Sequence, residues 1–464
     1  MLVAETPSQA AARDHLLLHF ARNGAAAPPL VIERGEGPFV FDEHGNRYLD
    51  ALSGLFCSQL GHSFGEEMGQ VAAAALNDLA FTTIWGSAHP AAIELSARIA
   101  ELMPGDLNHV FFTNGGSESV ESAWKLVRMF HVANGEPRRV KAIARDRAYH
   151  GVTLGALSFT GVPGYKEQFG PPAVDVTHVS NTNMYRGMRD GEDEDAFCAR
   201  LLAEVEDAVQ AAGPDEVAMI IAEPVQNAGG CLVPPRGYWP GLRAIADRHG
   251  ILLVADEVIC GFGRLGDWLG STRFGGAPDL VTTAKGITSA YAPMGAVIAS
   301  DRVVAPLYDD PKRTLMHGIT FAGHPLAAAI SLRNLEIFER EGILENVRAM
   351  EPYLASRLND LQATLPLVGD ARGAGFFWAL ELVDETREDT RLTAPEREFL
   401  LREYLPARLM EAGIVTRADD RGDACLHLAP PLISDREILD LLVDRVADVL
   451  SDAHIALTDW RTKA

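Results

Sequence analysis

Basic charge is the first thing this 464-residue chain is short of. It carries 41 Lys and Arg against 64 Asp and Glu, a formal net charge of −23. Nucleic acids and anionic membrane surfaces are gripped by an excess of Lys and Arg, so neither is an expected partner. Cysteine is scarce as well. The five residues Cys57, Cys198, Cys231, Cys260 and Cys425 are odd in number and nowhere closely spaced. That excludes a disulfide framework and a cysteine-based zinc site, and it fits a reducing cytoplasm. No apolar run reaches the ~18 residues that a membrane-spanning helix needs. The opening MLVAETPSQAAARDHLLLHF has no basic stretch ahead of its apolar residues, which Arg13 and Asp14 interrupt. It does not read as a signal peptide.

Lysine is the most informative shortage. It occurs only at positions 125, 141, 166, 285, 312 and 463, which leaves 41 − 6 = 35 arginines. If the chemistry needs a lysine, the search is short. The rest of the composition is ordinary: 47% hydrophobic and 23% charged. Such a chain can bury a large core and is not disordered wholesale.

Patterning indicates an α/β organisation. From about 64 to 320, strand-like runs alternate with helical ones. The strand candidates are His109–Thr113, Val140–Ala144, Val174–Val179, Val217–Ala222, Ile251–Ala255, Leu280–Ala284 and Ala296–Ala299. Several are unbroken apolar runs such as AMIIA and ILLVA, as expected of strands covered on both faces of a parallel sheet. Helices are predicted over 89–103, 117–133, 195–212 and 239–249. Ahead of this region, FVFDEHGNRYLDA reads as a hairpin. After His324 the chain turns mostly helical, over 324–363, 393–412 and 434–453. Strand-like pieces lie near 376–383, 414–417 and 425–428, which suggests a smaller α+β domain. The charged stretches 184–195 and 384–395 read as loops.

Four segments could carry chemistry. In VFFTNGGSESVESAWKLVRMF a strand runs through Gly115-Gly116-Ser117 into a helix. The free N–H groups and dipole at such a helix start attract anions. A plain helix cap is the simpler reading. Residues 261–266, GFGRLG, match a dinucleotide-binding glycine pattern. Asp256 and Glu257 stand between strand and glycines, however, and no apolar helix follows, so that reading is rejected. In ILLVADEV, Asp256 follows a buried strand, at the end of the sheet where α/β proteins bind ligands. A carboxylate there needs a polar or charged partner. Lys285 ends the apolar run PDLVTTAK, with few other charges until Asp301. Burial lowers a lysine's pKa and yields a neutral amine, a nucleophile and Schiff-base former. Tyr149 and His150 follow another strand in RAYHG. His317 and His324 lie seven apart without ligand spacing, so no metal site is expected.

Taken in order, TNGGSES, YHG, EPVQNAGG, ILLVADEVICGFGRLG, PDLVTTAKG and HGITFAGHP resemble the blocks of the class III pyridoxal-phosphate-dependent aminotransferases, over about residues 30–450. Within that family the likeness is greatest to the ω-amino acid:pyruvate and amine:pyruvate group. The resemblance implies fold type I, with a mostly parallel seven-stranded large domain over 61–322. It implies a small domain over 323–464 to which residues 1–60 contribute. It also implies pyridoxal 5'-phosphate as cofactor and a homodimer, or a dimer of dimers, with active sites at the interface. Residue by residue, Lys285 resembles the Schiff-base lysine and general base, and Asp256 the partner of the pyridine nitrogen. Val258 resembles the residue beneath the ring, and Tyr149, beside His150, the aromatic above it. Gly116 and Ser117 match the phosphate cup, and Thr320 a phosphate contact from the neighbouring subunit. Gln226 matches a partner of the ring's phenolic oxygen, beside Glu223.

The implied activity moves an amino group from an ω-amino acid or amine donor to a keto acid by a ping-pong mechanism. Relatives that use glutamate and 2-oxoglutarate tend to carry Gly-Glu-Gly-Gly after EPVQ, where this chain has Asn227-Ala228-Gly229-Gly230. Lacking that glutamate favours pyruvate. Arg417 resembles an arginine that clamps the substrate carboxylate, with Arg421 as a rival, and Phe56 and Trp85 fall where pocket-wall aromatics are placed. The alternatives are a class III-fold isomerase, either an aminomutase or an amino-acid epimerase, and a glutamate/2-oxoglutarate aminotransferase.

Overall fold

Apolar β-runs separated by amphipathic helices can hide both faces of a sheet only by winding helices to either side of it. The computed structural model, which describes residues 5–24 and 28–463, does this around seven strands. Met1–Ala4, the start of the segment read as lacking a leader, lies outside the described residues. The strand order across the sheet is Leu107–Thr113, Gly295–Ser300, Leu280–Thr283, Leu252–Asp256, Val217–Ala222, Lys141–Arg145 and Asp175–Val179. Gly295–Ser300 runs antiparallel to both neighbours. Every other adjacent pair is parallel. All six residues of Val217–Ala222 and all five of Leu252–Asp256 are buried, as their unbroken apolar character requires.

The four predicted helices of this region form as Pro90–Leu102, Gly116–Ala133, Glu194–Ala212 and Tyr238–His249. Asp193 caps the third by accepting from the Ala196 N–H, and Pro90 opens the first. Both are ordinary helix-start signals.

Two smaller sheets lie outside the large one. The predicted hairpin forms from Phe39–Asp42 and Arg47–Asp50, flanked by Ile32–Glu36. Its outer strand then pairs in parallel with Ile414–Val415, more than 360 residues later in the chain. The second sheet is antiparallel throughout, in the order Val368–Ala374, Phe377–Leu382, Cys425–Leu428, Arg417–Asp419. The strand Val368–Ala374, LVGDARGA in context, is missed by pattern reading because Gly, Asp and Arg break its alternation. The helical stretch expected over 324–363 divides into Pro325–Arg340 and Ile343–Thr364 at Glu341-Gly342. The last helix extends to Lys463, ten residues past its expected end at 453. The stretch 184–195, read as a loop, opens with a single helical turn, Met184–Gly187. Among the described residues, no helix is long and apolar enough to cross a membrane.

Candidate active site

A cavity of about 1200 Å³ opens at the carboxyl ends of the central parallel strands. Each strand hands its successor residue to that side, so Asp256, Lys285 and the turn after Ala222 meet there although they are distant in sequence. Phe56, Gly116, Ser117, Tyr149, His150, Glu223, Asp256, Val258, Lys285 and Arg417 all line it.

Lys285 directly follows the strand Leu280–Thr283 and Ala284. Its backbone is held in the left-handed region, at φ 49°. Such a conformation is costly for a side-chain-bearing residue and persists only when its surroundings enforce it. Asn334 supplies that enforcement: its Nδ2 donates to the carbonyls of Gly286 (3.0 Å) and Ile287 (3.2 Å), and its Oδ1 accepts from the Ser289 hydroxyl. Burial pushes the Lys285 amine below the ordinary lysine range, while Cys57 and Asp256 pull it back. The ammonium centre lies 6.0 Å from the centre of the Phe56 ring.

Asp256 is 4% exposed. One carboxylate oxygen accepts from the Val258 N–H at 3.1 Å, and the other lies 2.7 Å from His150 Nδ1. His150 comes from the loop after Lys141–Arg145, and that loop is locked in place. The His150 N–H donates to the Thr160 hydroxyl, which donates to the Gly151 carbonyl. Sequence reading placed His150 in the site but not on the aspartate; only the parallel pairing of strands brings together residues 106 apart. Glu223 is buried and serves backbone. It accepts from the N–H groups of Tyr149 (3.1 Å) and Asn227 (3.0 Å). Burial raises its carboxyl above the usual range, against the pull of His150 and Arg145.

The start of Gly116–Ala133 faces the same cavity with no side-chain cap, leaving its first N–H groups for an anion. Ser117 Oγ accepts from the Val152 N–H at 3.1 Å. Two glycines are required by close approach. A Cβ on Gly116 would lie 2.9 Å from Val258 Cγ1, and one on Gly151, at φ 107°, would collide with Ser117 Oγ.

On another wall the strand Arg417–Asp419 and the turn beyond it bring Arg417, Asp419 and Arg421 together. The Arg417 guanidinium sits 5.0 Å over the Phe56 ring, and its Nη2 donates to Asn227 Oδ1 at 3.1 Å. Burial, with the charge of Arg421, lowers its pKa to about 10. Arg421 donates from Nε to Asp419 at 2.7 Å, with Nη2 2.5 Å from the same oxygen, and lies 5.9 Å over the Tyr149 ring. Burial would raise the Asp419 carboxyl, yet contact with His427 and the charges of Arg421 and Arg417 hold it well below the usual range.

Three expected residues lie elsewhere. The Gln226 amide turns away and donates to the carbonyls of Asp146 (2.9 Å) and Ala228 (3.2 Å), because Gln226 pairs with Leu232 in an isolated bridge that aims it at backbone. It does not line the cavity, and its Oε1 has no partner. Trp85 is 63% exposed and packs at the surface against Gly318, since the segment around it joins no sheet or helix. Thr320, two residues beyond Gly318, is exposed on the outside of the chain. The rejected glycine pattern forms consecutive turns in which Arg264 is fully buried, donating to the carbonyls of Phe376 and Pro430. It is scaffold. Asn227, Asp419 and Tyr165 line the cavity without having been singled out by sequence. Nothing in their local sequence separates them from ordinary turn residues. Among the described residues, no cluster of His, Cys, Asp or Glu could hold a metal ion.

The residues present suit pyridoxal 5'-phosphate. An uncapped helix start awaits an anion across a cradle that a single methyl group would fill. A buried carboxylate, backed by a histidine, keeps room for a ring N–H. A lysine with a burial-weakened hold on its proton stands beside both.

Comparison with known proteins agrees. The family model for class-III aminotransferases matches residues 20–450. A probable aminotransferase of Mycobacterium tuberculosis is 46% identical over 440 residues, covering 94% of this chain and 93% of the relative. A putrescine–pyruvate aminotransferase of Pseudomonas aeruginosa is 39% identical, with 97% of each chain covered. The crystal structure of an omega transaminase from Pseudomonas jessenii, in complex with PMP, superposes with a TM-score of 0.92 at 35% identity, covering 98% of this chain and 99% of that one. With the fold, the cavity and these relatives in agreement, the chain belongs to the class-III aminotransferases, fold type I enzymes that depend on pyridoxal 5'-phosphate.

Proposed function

We propose that this aminotransferase carries amino groups from an amine or ω-amino acid donor to pyruvate, donor and acceptor taking turns in the same cavity by a ping-pong mechanism. The observation that carries the reading is the placement of Arg417 and Lys285 around one aromatic ring, Phe56. A keto acid whose carboxylate meets Arg417 presents its carbonyl carbon toward the Lys285 amine.

In this reading Lys285 anchors the cofactor and then, released, moves a proton to and from the substrate's reacting carbon. When bound, pyridoxal 5'-phosphate supplies an electron sink for that carbon. Asp256, buried and braced by His150 and the Val258 N–H, holds a proton on the ring nitrogen and so keeps the sink strong. Gly116, Ser117 and the helix start would hold the phosphate. Val258 and Tyr149, both lining the cavity, would hold the ring between them, and Glu223 fixes the Tyr149 backbone.

The choice of acceptor rests on the arginines. Arg421 is hydrogen-bonded to Asp419 through Nε with Nη2 at ion-pair distance, whereas Arg417 stands 3.3 Å from that carboxylate and otherwise bonds only a neutral amide. Arg417 therefore retains charge for a substrate carboxylate, which a guanidinium binds through two parallel hydrogen bonds. 2-Oxoglutarate brings a second carboxylate, for which the remaining guanidiniums are already paired. Burying that charge unpaired costs at least ~3 kcal/mol, more than a hundredfold in kcat/KM. Ala228, fully buried, offers no acid to regulate Arg417. Steady-state kinetics with both acceptors are expected to favour pyruvate by at least ~10²-fold. Comparable rates would assign Arg421 to the second carboxylate and overturn this choice. The putrescine–pyruvate relative lends support.

The enzyme is further proposed to work as a homodimer in the cytoplasm. Phe81, Trp85, Met316 and Phe321 form exposed apolar surface around Thr320, with Phe81 and Phe321 edge to face at 5.7 Å. Apolar surface of this kind is characteristic of an interface. A second copy seated there would bring Thr320 and Trp85 to the neighbouring cavity.

A further inference from the structure

Arg417 is a long side chain lining a cavity of about 1200 Å³, so the contacts on its guanidinium set where it points. Two contacts compete to orient it. Asp419, two residues along the same strand, lies 3.3 Å from Nε but is already engaged at shorter range by Arg421. Asn227, from the opposite wall, accepts from Nη2 at 3.1 Å. Asn227 is 3% exposed, and its own backbone is fixed. Its N–H donates to Glu223 Oε2 at 3.0 Å, and its carbonyl accepts from the Gly230 N–H at 3.1 Å. The amide is thus presented from a rigid turn rather than from a mobile loop.

The chemistry of the acceptor matters as much as its position. A carboxylate at 227 would hold Arg417 and neutralise it. An alanine or glycine would leave it unheld. A neutral amide oxygen orients the guanidinium while leaving its charge and remaining N–H donors for an incoming anion. We propose that Asn227 is a positioning residue that keeps Arg417 in a carboxylate-receiving orientation. It thereby assists the half-reaction whose substrate carries a carboxylate beside the reacting carbon, the α-keto acid acceptor, and not that of an amine donor, which lacks one there. The inference rests on the reading of Arg417 as the carboxylate-binding group.

The test is kinetic, on cofactor-saturated holoenzyme, with pyruvate as the acid probe and 1-phenylethylamine as the carboxylate-free probe. Asn227→Ala is expected to raise the ratio of the two KM values, pyruvate over amine, about tenfold, equivalent to about 1.4 kcal/mol. The kcat at saturating pyruvate should fall far less than its KM rises. Asn227→Asp preserves size and packing but satisfies the Arg417 charge internally, and it should raise the ratio further. Arg417→Ala serves as the reference. If Arg417→Ala raises the pyruvate KM and neither Asn227 variant does, Asn227 has no positioning role while the carboxylate reading stands. If Arg417→Ala leaves the pyruvate KM unchanged, that reading fails and takes the proposal with it. Equal changes for acid and amine in Asn227→Asp would show a scaffold role only, and would also overturn it.

Discussion

At Lys285 two effects act on one amine. Burial disfavours its charged form, while Asp256 and Cys57 favour it, and burial prevails. A depressed amine is a better nucleophile near neutrality, and Lys285 lines the cavity whereas Lys166, whose amine burial also lowers, does not. Borohydride reduction of the loaded enzyme, followed by peptide mapping, should therefore place the pyridoxyl group on Lys285. Label on another lysine would dismiss the assignment. Asp256 acts on the other side of the site. Asp256→Asn keeps the shape and can keep the hydrogen bond to the Val258 N–H, but it no longer holds a proton on a ring nitrogen. Turnover of cofactor-saturated enzyme should fall by at least ~10²-fold, with a much smaller loss of cofactor affinity. Rapid single-turnover chemistry in that variant would refute the role. The sequence put both residues at the ends of apolar strands, where α/β proteins bind ligands, and both line the cavity. His150 as the brace of Asp256 was not legible, since 106 residues separate them and only the sheet closes the gap.

Helices and strands set what the residues can reach. The turn entering Gly116–Ala133 passes so close to Val258 that a methyl group has no space there. Gly116→Ala would force Val258, or the helix start itself, to shift. Overpacking of this kind costs ~1–3 kcal/mol, or about 5- to 150-fold in affinity if it falls on the cofactor cradle. Titration of the cofactor-free variant with pyridoxal 5'-phosphate should show that weakening, with thermal stability changed less. Unaltered affinity would remove Gly116 from the phosphate site. At this scale the large sheet was well foreshadowed, because strands covered on both faces are written as continuous apolar runs. Val368–Ala374 was not. A strand with polar residues along its length has no distinctive period, and its pairing with Phe377–Leu382 is what makes it a strand.

The whole molecule raises the question of a second copy. Trp85 and Thr320 fall in blocks whose family counterparts serve the site, yet each is at the surface of this chain. A homodimer that shares its sites reconciles the two. Sedimentation at micromolar concentration should give a species of twice the chain mass. Mixing Lys285→Ala with a Thr320→Arg chain, each inactive alone, should restore part of the activity in hybrids, because one of the two sites then has both residues intact. A fully active monomer would refute the shared-site reading.

Local chemistry alone pointed to the class of the fold, to Lys285 and Asp256 at strand ends, and to a turn suited to an anion, and the ordered blocks of sequence carried the resemblance to the family. These depend on apolar periodicity, residue type and short-range spacing, all of which survive in a linear string. The tertiary structure alone decided which side chains face the cavity and which face away. It turned Gln226 to the backbone, carried Trp85 and Thr320 to the surface, and seated Asn227 opposite Arg417. Those outcomes depend on long-range packing of irregular segments: Gln226 on its bridge to Leu232, Asn227 on the approach of the strand Arg417–Asp419, and Trp85 and Thr320 on stretches that have no local period to read.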